Sequence, residues 1–300
     1  MQNSWKILII LGAFIFFISV LAAMAVVLVK DTNIPAISLN SVAVVPLKGE
    51  ITESTASEVI GMIDEAVSDS SVKAIVLDID SPGGAVLPGK EIMNKVREAK
   101  NNKPVVARIG QSGASAAYYV ASASTLIIAD EDSITGSLGV RMTIIQYYEL
   151  FNKLGINVKS ITSGEMKDIG SPYRNMTDEE EKRLQEIVNK IYYHFISGIA
   201  ENRGMPVSEL REIAKGDIYL GSEALENGLV DKLGNLDDAI HTAAELGGIK
   251  DEEPKVKYMY REPTFYDLFA EGSTNIGYGV GKAFLELSES KRQGNNINFN

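Results

Sequence analysis

Hydrophobic positions along the chain follow two repeating patterns, which together predict strands that alternate with helices. The run VKAIVLDID at 72–80 is apolar almost throughout, which is typical of a strand buried on both faces. Further strands are predicted at 41–49, 103–110, 125–130 and 156–164. Apolar residues at helical spacing predict helices at 57–70, 88–100, 177–204 and 206–216, with one or two more within 222–248. Strands alternating with helices predict a parallel sheet with right-handed crossover helices.

The longest predicted helix carries signals at both ends. Thr177 is the expected N-cap, Glu180 stands where a capping box needs a carboxylate, and Gly204 follows the last turn. Beyond residue 250 the pattern fades. Residues 254–272 are compatible with a strand and a helix, and the polar tail 291–300 is predicted to be disordered.

The amino-terminal residues differ from the rest of the chain. Residues 7–29 contain no charged side chain. As a helix they would reach about 34 Å, enough for a bilayer core of about 30 Å. A cleavable signal peptide is the alternative, because the small residues at 23–25 resemble a cleavage site. We favour an uncleaved anchor, because the apolar run continues through Val29, and we place its amino end in the cytoplasm and the bulk of the chain outside.

Composition excludes several classes of function. The chain has 300 residues, 45% of them hydrophobic, which predicts one or two domains with a packed core. A formal net charge of −11, with no basic run interleaved with aromatics, argues against a nucleic-acid partner. With no cysteine, disulfides and thiolate catalysis are excluded. The two histidines, His194 and His241, lie far apart and outside any cluster with ligand spacing, which argues against a metal site.

The first candidate site is the sequence DSPGGAV at 80–86, directly after a predicted buried strand. Gly83 and Gly84 permit backbone conformations in which bare N–H groups can face an anion, although a simple tight turn would use the same residues. The overlapping stretch 84–91 matches the spacing of a phosphate loop. Glu91 stands there where a Ser or Thr should hold Mg²⁺, which argues against nucleotide binding.

The second candidate is Ser115, which lies among Gly and Ala in the sequence SGASAAYYVAS at 112–122. Small neighbours would let a substrate backbone approach a nucleophilic hydroxyl, and the N–H of Ala116 could then stabilise an oxyanion. Small residues also permit close helix packing without any catalytic role. The segment alone leaves both interpretations open.

A serine nucleophile needs a base, and neither histidine is well placed for that role. His194 lies in the middle of a predicted helix, and His241 is expected to be partly exposed. A lysine can serve instead if burial without an anionic partner lowers its pKa from the usual value of about 10.4. Lys167 follows a predicted strand and precedes a loop rich in Gly, Ser and Pro, but periodicity alone does not distinguish it from other lysines.

A combination of five motifs distinguishes Lys167 from the other lysines. In chain order they are VAVVPLKGEI at 42–51, DIDSPGG at 78–84, GASAAYYVASAS at 113–124, ITGSLGV at 134–140 and SGEMKDIGSPYRNMTDEE at 163–180. Together they resemble the signal-peptide peptidase A (SppA) family of membrane-anchored serine proteases. The resemblance spans about residues 42–246. It implies a fold like that of the Clp protease subunit and the crotonases.

The resemblance also implies roles for individual residues. Ser115 matches the family's nucleophile, although the family's two glycines after that serine are replaced here by Ala116 and Ala117. Lys167 matches the general base of a Ser-Lys dyad. Gly84 and Ala116 would supply the oxyanion-hole amides, and Ser137 would orient the lysine amine. No metal or cofactor is implied.

Family members form rings or domes in which one active centre takes its serine and its lysine from different protomers. The resemblance therefore implies a homo-oligomer that cleaves apolar peptides, in particular remnant signal peptides, at the cell membrane. We divide the chain into an anchor (1–30), a linker (31–40), a catalytic domain (41–250) and a carboxyl-terminal extension (251–300). The alternatives are a stomatin-associated membrane protease, a crotonase-like acyl-CoA enzyme and an inactive membrane scaffold.

Overall fold

The structure is a computed structural model that describes residues 17–18 and 40–260. The chain divides into two compact units, Met1–Leu39 and Asn40–Asn300. In the first unit, Phe17 and Ile18 are helical and exposed. The rest of the predicted anchor at 7–29 lies outside the described residues. No helix in the described part of the chain is long and apolar enough to cross a membrane.

The second unit is built around a twisted sheet. Its strands are β1 Ser41–Lys48, β2 Val72–Ser81, β3 Val105–Ala114, β4 Leu126–Ala129, β5 Ile134–Gly136, β6 Ile218–Leu220, β7 Lys232–Leu233 and β8 Lys255–Tyr258. Six of them run in the order β6-β5-β3-β2-β1-β8, and β4 pairs with both β3 and β7. The strand predicted within 254–272 is thus confirmed as β8, and the helix predicted there falls outside the described residues.

The helices are α1 Glu53–Ser68, α2 Val86–Lys100, α3 Ala116–Ser122, α4 Tyr148–Lys153, α5 Asp178–Arg203, α6 Val207–Ile213, α7 Gly221–Glu226 and α8 Leu236–Leu246. Those predicted from helical spacing are confirmed to within a few residues. Helix α5 has the predicted capping box between Thr177 and Glu180, and Gly204 ends it in the left-handed conformation. Such a cap satisfies backbone groups that a helix end leaves unpaired.

Two apolar layers explain why the strands are hydrophobic without interruption. Along β1, Ala43, Val45 and Leu47 belong to the larger core, which also takes in side chains of α1, α2 and α3. The intervening Val42 and Val44 pack with α8 on the opposite face. Each fully buried Val, Leu or Ile contributes about 1.5–3 kcal/mol relative to an exposed side chain, so both faces of the sheet stabilise the fold.

Two predictions about the sheet are wrong. The sheet is not entirely parallel, because β5 and β6 pair antiparallel. The short strands β5, β6 and β7, of two or three residues each, are too short to leave a hydrophobic pattern. The strand predicted at 156–164 is absent, and this segment lies exposed with Ile161 at 92%. An extended segment needs a neighbouring strand to satisfy its backbone, and the described chain offers none there.

Strand β3 is the element that organises the site. On one side it pairs with β2. On the other side its first half pairs with β4 and its last residues, Ser112–Ala114, pair with β5. The chain then turns at Ser115 directly into α3. One strand thus brings the ends of three segments to the same edge, the carboxyl edge where parallel α/β sheets place their sites.

Gly221 tests how tightly helix α7 packs on the end of β4. A Cβ at this position would overlap the carbonyl oxygen of Asp130. We expect Gly221→Ala to lower the free energy of unfolding by about 1–3 kcal/mol, because a backbone atom must move. Gly61→Ala is the matched control: Gly61 lies within α1 with nothing within 4 Å of the added methyl, so it should raise stability by about 0.5–1 kcal/mol. Denaturant unfolding of both variants measures their free energies of unfolding. Equal changes in the two variants would contradict tight packing at Gly221.

Candidate active site

Ser115 lies at the junction between β3 and α3 with an unusual backbone conformation. Its φ is 54° and its ψ is −121°, and a non-glycine residue with positive φ is uncommon and costs about 1–3 kcal/mol. Its N–H donates to the carbonyl oxygen of Gly136 at 2.8 Å, which holds the junction against β5. Strain of this kind persists where the surrounding structure fixes it, and it is concentrated at functional sites. Ser115 is half-buried.

The Gly83–Gly84 turn packs directly against this junction. A Cβ on Gly83 would lie 2.8 Å from the Cβ of Ser115 and 3.1 Å from the amide nitrogen of Ala116. Only a residue without a side chain allows this approach. The turn is fixed from below by Ser81, which is fully buried and whose hydroxyl accepts the Gly83 N–H at 3.1 Å.

Gly84 continues the turn and is held by the segment that follows β1. The Ile51 N–H donates to Gly83 at 2.9 Å, and the Ala85 N–H donates to Ile51 at 2.9 Å. Neither bond involves the Gly84 N–H, which has no backbone acceptor among the described residues. Gly84 is also exposed. The Ala116 N–H is the first of α3, and such amides have no acceptor within their own helix. Two donors thus come from segments that meet beside Ser115.

Ser137 directly follows β5 and so lies one residue beyond Gly136, which accepts the Ser115 N–H. It is a second non-glycine residue with positive φ, at 52°. Its own N–H donates to the Asp217 carbonyl at 2.6 Å, next to β6. The antiparallel β5–β6 pair, which the sequence does not predict, therefore fixes this residue.

Lys167 is the candidate residue that the single chain does not bring to this point. It lies in a short 3₁₀ turn, Glu165–Asp168, and is exposed. In the described part of the chain, no hydrogen bond or ion pair joins its amine to Ser115, to Ser137 or to a carboxylate. Four of the five candidate residues therefore belong to segments that meet at one place, and the fifth lies on a separate surface.

That surface is the arm, which we define as residues 139–176. From 141 to 176 no apolar side chain is buried. The arm holds itself together by stacking: the ring centroids of Phe151 and Tyr173 are 5.5 Å apart, and those of Tyr147 and Phe151 are 6.5 Å apart. Its exposed large apolar side chains are Met142, Ile145, Tyr147, Leu150, Leu154, Ile156, Val158, Ile161, Met166 and Tyr173. Exposed apolar surface of this extent is typical of an interaction surface.

The two histidines take no part in this site. His194 is exposed on α5, where its ring contacts Tyr193, and His241 is exposed on α8. Within residues 17–18 and 40–260, no group of three or more His, Cys, Asp and Glu side chains could hold a metal ion. The chemistry available at the junction is therefore that of a hydroxyl and of backbone amides.

Comparison with known proteins identifies the family of the chain. The sequence profile of peptidase family S49 matches residues 97–250, and that of Clp protease matches residues 32–127. A candidate protease of Methanocaldococcus jannaschii is 39% identical over 234 residues, which cover 76% of this chain and 72% of that protein. The chain belongs to peptidase family S49 and is a serine peptidase.

More distant relatives narrow this class to the SppA family. A candidate signal peptide peptidase SppA of Enterococcus faecium is 36% identical over 173 residues, 57% of this chain and 50% of the relative. Protease 4 of Salmonella typhi is 32% identical over 223 residues, 74% of this chain and 35% of the relative. A mutant 1510-N membrane-bound stomatin-specific protease, solved with a substrate peptide, has a TM-score of 0.50 at 20% identity over 79% of this chain and 98% of that chain, which indicates a common fold.

Gly84→Ala tests the turn that faces Ser115. The new Cβ would overlap the carbonyl of Ile51 and lie 2.6 Å from its amide nitrogen, so the turn and its N–H must shift. Removing one oxyanion donor typically costs about 100- to 1,000-fold in rate, and we expect a loss of that order in kcat for peptide hydrolysis. Gly61→Ala, the same change without a neighbour, should keep its activity. Equal kcat values for the two variants would contradict a role for this turn.

Proposed function

We propose that this peptidase cleaves peptide bonds with a Ser-Lys dyad in which Ser115 is the nucleophile and Lys167 the general base. The observation that carries the proposal is the strained Ser115 junction with the Gly83–Gly84 turn packed against it. A half-buried hydroxyl at such a junction, beside amides for which the described backbone offers no acceptor, has the surroundings that acyl transfer requires.

In this mechanism the neutral amine of Lys167 accepts the proton of Ser115 as Oγ attacks the peptide carbonyl carbon. The N–H groups of Gly84 and Ala116 stabilise the oxyanion of the tetrahedral intermediate. The Lys167 ammonium then protonates the leaving amine, the C–N bond breaks, and an acyl-enzyme remains on Ser115. The neutral amine next activates water, which releases the acid product and restores the serine. Ser137 would hold the amine in place.

The exposed position of Lys167 bears directly on this mechanism. A solvated lysine amine is protonated at neutral pH and cannot accept a proton. We therefore propose that a second copy of the chain covers the arm, buries the amine and brings it to a neighbouring Ser115. The apolar side chains exposed along the arm support this, because an assembly would remove them from water. The active protein is then a homo-oligomer whose sites are shared between protomers.

We further propose that residues 7–29 anchor the assembly in the cell membrane, with the catalytic domain on the extracytoplasmic side. An anchored peptidase meets apolar segments left in the bilayer, so remnant signal peptides are its proposed substrates. Relatives named signal peptide peptidase and Protease 4 favour this class over a stomatin-specific protease, whose likeness is one of fold. A crotonase-like acyl-CoA enzyme would also use an oxyanion hole with a glycine amide, but it would leave the anchor and the pair of Ser115 and Lys167 unexplained. An inactive scaffold would leave the strained junction at Ser115 unexplained.

Labelling by a fluorophosphonate tests the nucleophile in the assembled protein. We expect covalent labelling at Ser115, and none after Ser115→Ala, because only an activated serine reacts at a useful rate. Mass spectrometry of the labelled peptide identifies the residue. Labelling at another serine would show that Ser115 is not the nucleophile, and no labelling of a well-assembled oligomer would favour the scaffold interpretation.

Lys167→Arg tests the base. Arginine keeps the positive charge but does not lose its proton in proteins, so peptide hydrolysis should be abolished, as in Lys167→Ala. Wild-type activity should rise from neutral to alkaline pH, because only the neutral amine accepts the serine proton. Lys159→Arg, an exposed lysine in the same arm, is the matched control and should retain activity. Full activity of Lys167→Arg would show that the dyad is wrong.

Mixed oligomers test whether the site spans two chains. Neither Ser115→Ala nor Lys167→Ala should cleave peptides alone. Unfolded and reassembled together, they should regain part of the wild-type rate, because some interfaces then pair an intact Ser115 with an intact Lys167. Native mass spectrometry verifies that the oligomers are mixed. Mixed oligomers without any activity would indicate that each site lies within one chain.

A further inference from the structure

The turn that carries Lys167 has little support of its own. It comprises four residues with no buried side chain. Within it, the Lys167 N–H donates to Gly164 at 3.1 Å and the Ile169 N–H donates to Met166 at 3.3 Å. Short 3₁₀ turns have poor hydrogen-bond geometry, so a general base placed here needs an external support.

Arg174 provides that support through its whole guanidinium group. Nε donates to the Asp168 carboxylate at 2.9 Å, and Nη2 donates to the Asp168 carbonyl at 2.8 Å. On the other side, Nη1 and Nη2 donate to the two carboxylate oxygens of Glu180 at 2.8 and 2.5 Å. Nη1 also donates to the Asn175 carbonyl at 3.1 Å. All five N–H donors of the group are used, in a planar arrangement that lysine cannot reproduce.

Glu180 makes this contact a fixed anchor. It is 3% exposed, and its carboxylate also accepts the Thr177 N–H at 3.0 Å, within the capping box of α5. The Arg174 guanidinium, followed by the Thr177 N–H, lowers the pKa of Glu180 to about 2, so the anchor stays charged wherever a serine peptidase works. Arg174 thus links the Lys167 turn to the start of a 26-residue helix.

The same contacts give the carboxylate next to the lysine a cationic partner of its own. Asp168 is the next residue after Lys167, and its carboxylate would be a natural ion-pair partner for the amine. Arg174 engages that carboxylate instead. Four further charged groups line the cavity beside the turn: Glu165 on the turn itself, Lys159 on the preceding stretch of the arm, and Glu179 and Glu180 at the start of α5. The positive charge of Arg174 compensates the negative charges of Asp168 and Glu180, with which it forms ion pairs.

We infer that Arg174 is a positioning residue for Lys167, because it fixes the turn that carries the amine and keeps the Asp168 carboxylate from pairing with it. The inference rests on the proposed function of Lys167 as the general base. A free carboxylate beside the amine would stabilise the ammonium form, and catalysis would then need a higher pH.

The pH dependence of kcat in the assembled enzyme tests this inference. Arg174→Gln should lower kcat and move the alkaline midpoint of the profile upward by about 1 pH unit, the size expected when an opposite charge comes close. Arg174→Gln combined with Asp168→Asn should return the midpoint toward the wild-type value, since the freed carboxylate is gone. Arg174→Lys, which keeps the charge but loses the planar fork, should lower kcat with a smaller shift.

Arg203→Gln is the matched control, because Arg203 makes a similar two-pronged contact with Asp231 at the other end of α5. It should reduce stability and leave the midpoint unchanged. A loss of kcat in Arg174→Gln without a shift, or a shift that persists in the double variant, would overturn the inference. If Arg174→Gln does not assemble, an unchanged kcat in Arg174→Lys would overturn it.

Failure of the proposed function is distinguishable from failure of this inference. Full activity of Lys167→Arg would show that Lys167 is not the general base, whatever the Arg174 variants do. If Lys167→Arg is inactive and the pH profile of Arg174→Gln does not shift, the dyad is supported and only the positioning role of Arg174 is disproved.

Discussion

The fold depends on one close approach, between the Gly83–Gly84 turn and the junction at Ser115. The turn can approach only because Gly83 has no side chain. The junction keeps its positive φ because β3 is paired on both sides, with Ser81 opposite Gly113 and Gly136 opposite Ala114. The conformational cost of about 1–3 kcal/mol at Ser115 is borne by a sheet whose two faces are both buried. A rigid core thus maintains a local geometry that an isolated turn would abandon.

The two halves of the proposed site differ in how they are held. The Ser115 junction belongs to the central sheet and is surrounded by buried residues. The Lys167 turn belongs to an exposed arm and is linked to α5 through charged side chains, Arg174 above all. In the described part of the chain the first half is prearranged, and no hydrogen bond or ion pair joins the lysine amine to it. Such a division would make activity depend on assembly, because an unassembled chain keeps its lysine solvated.

Much of this architecture follows from the sequence alone. The uninterrupted apolar runs identify β1, β2, β3 and β4, since strands covered on both faces have no polar side. The cap signals around Thr177 and Gly204 define α5 closely, because helix ends are determined by local hydrogen bonds. The absence of cysteine and the scarcity of histidine narrow the chemistry to a hydroxyl and an amine. Family motifs then select Ser115 and Lys167, which residue patterns by themselves leave among many serines and lysines.

The tertiary structure decided what depends on distant partners. The stretch 156–164 has a sequence that predicts a strand, but no strand of the described chain lies beside it, so the local pattern misleads there. Strands β5 and β6 exist only because pairing brings 134–136 and 218–220 together, and that pairing fixes Ser137. The contacts of Arg174 with Asp168 and Glu180 likewise cannot be inferred from spacing, since a loop folds back to make them. Sequence determined which residues could do chemistry, because local patterns encode burial and capping, whereas their placement required long-range contacts that no local pattern records.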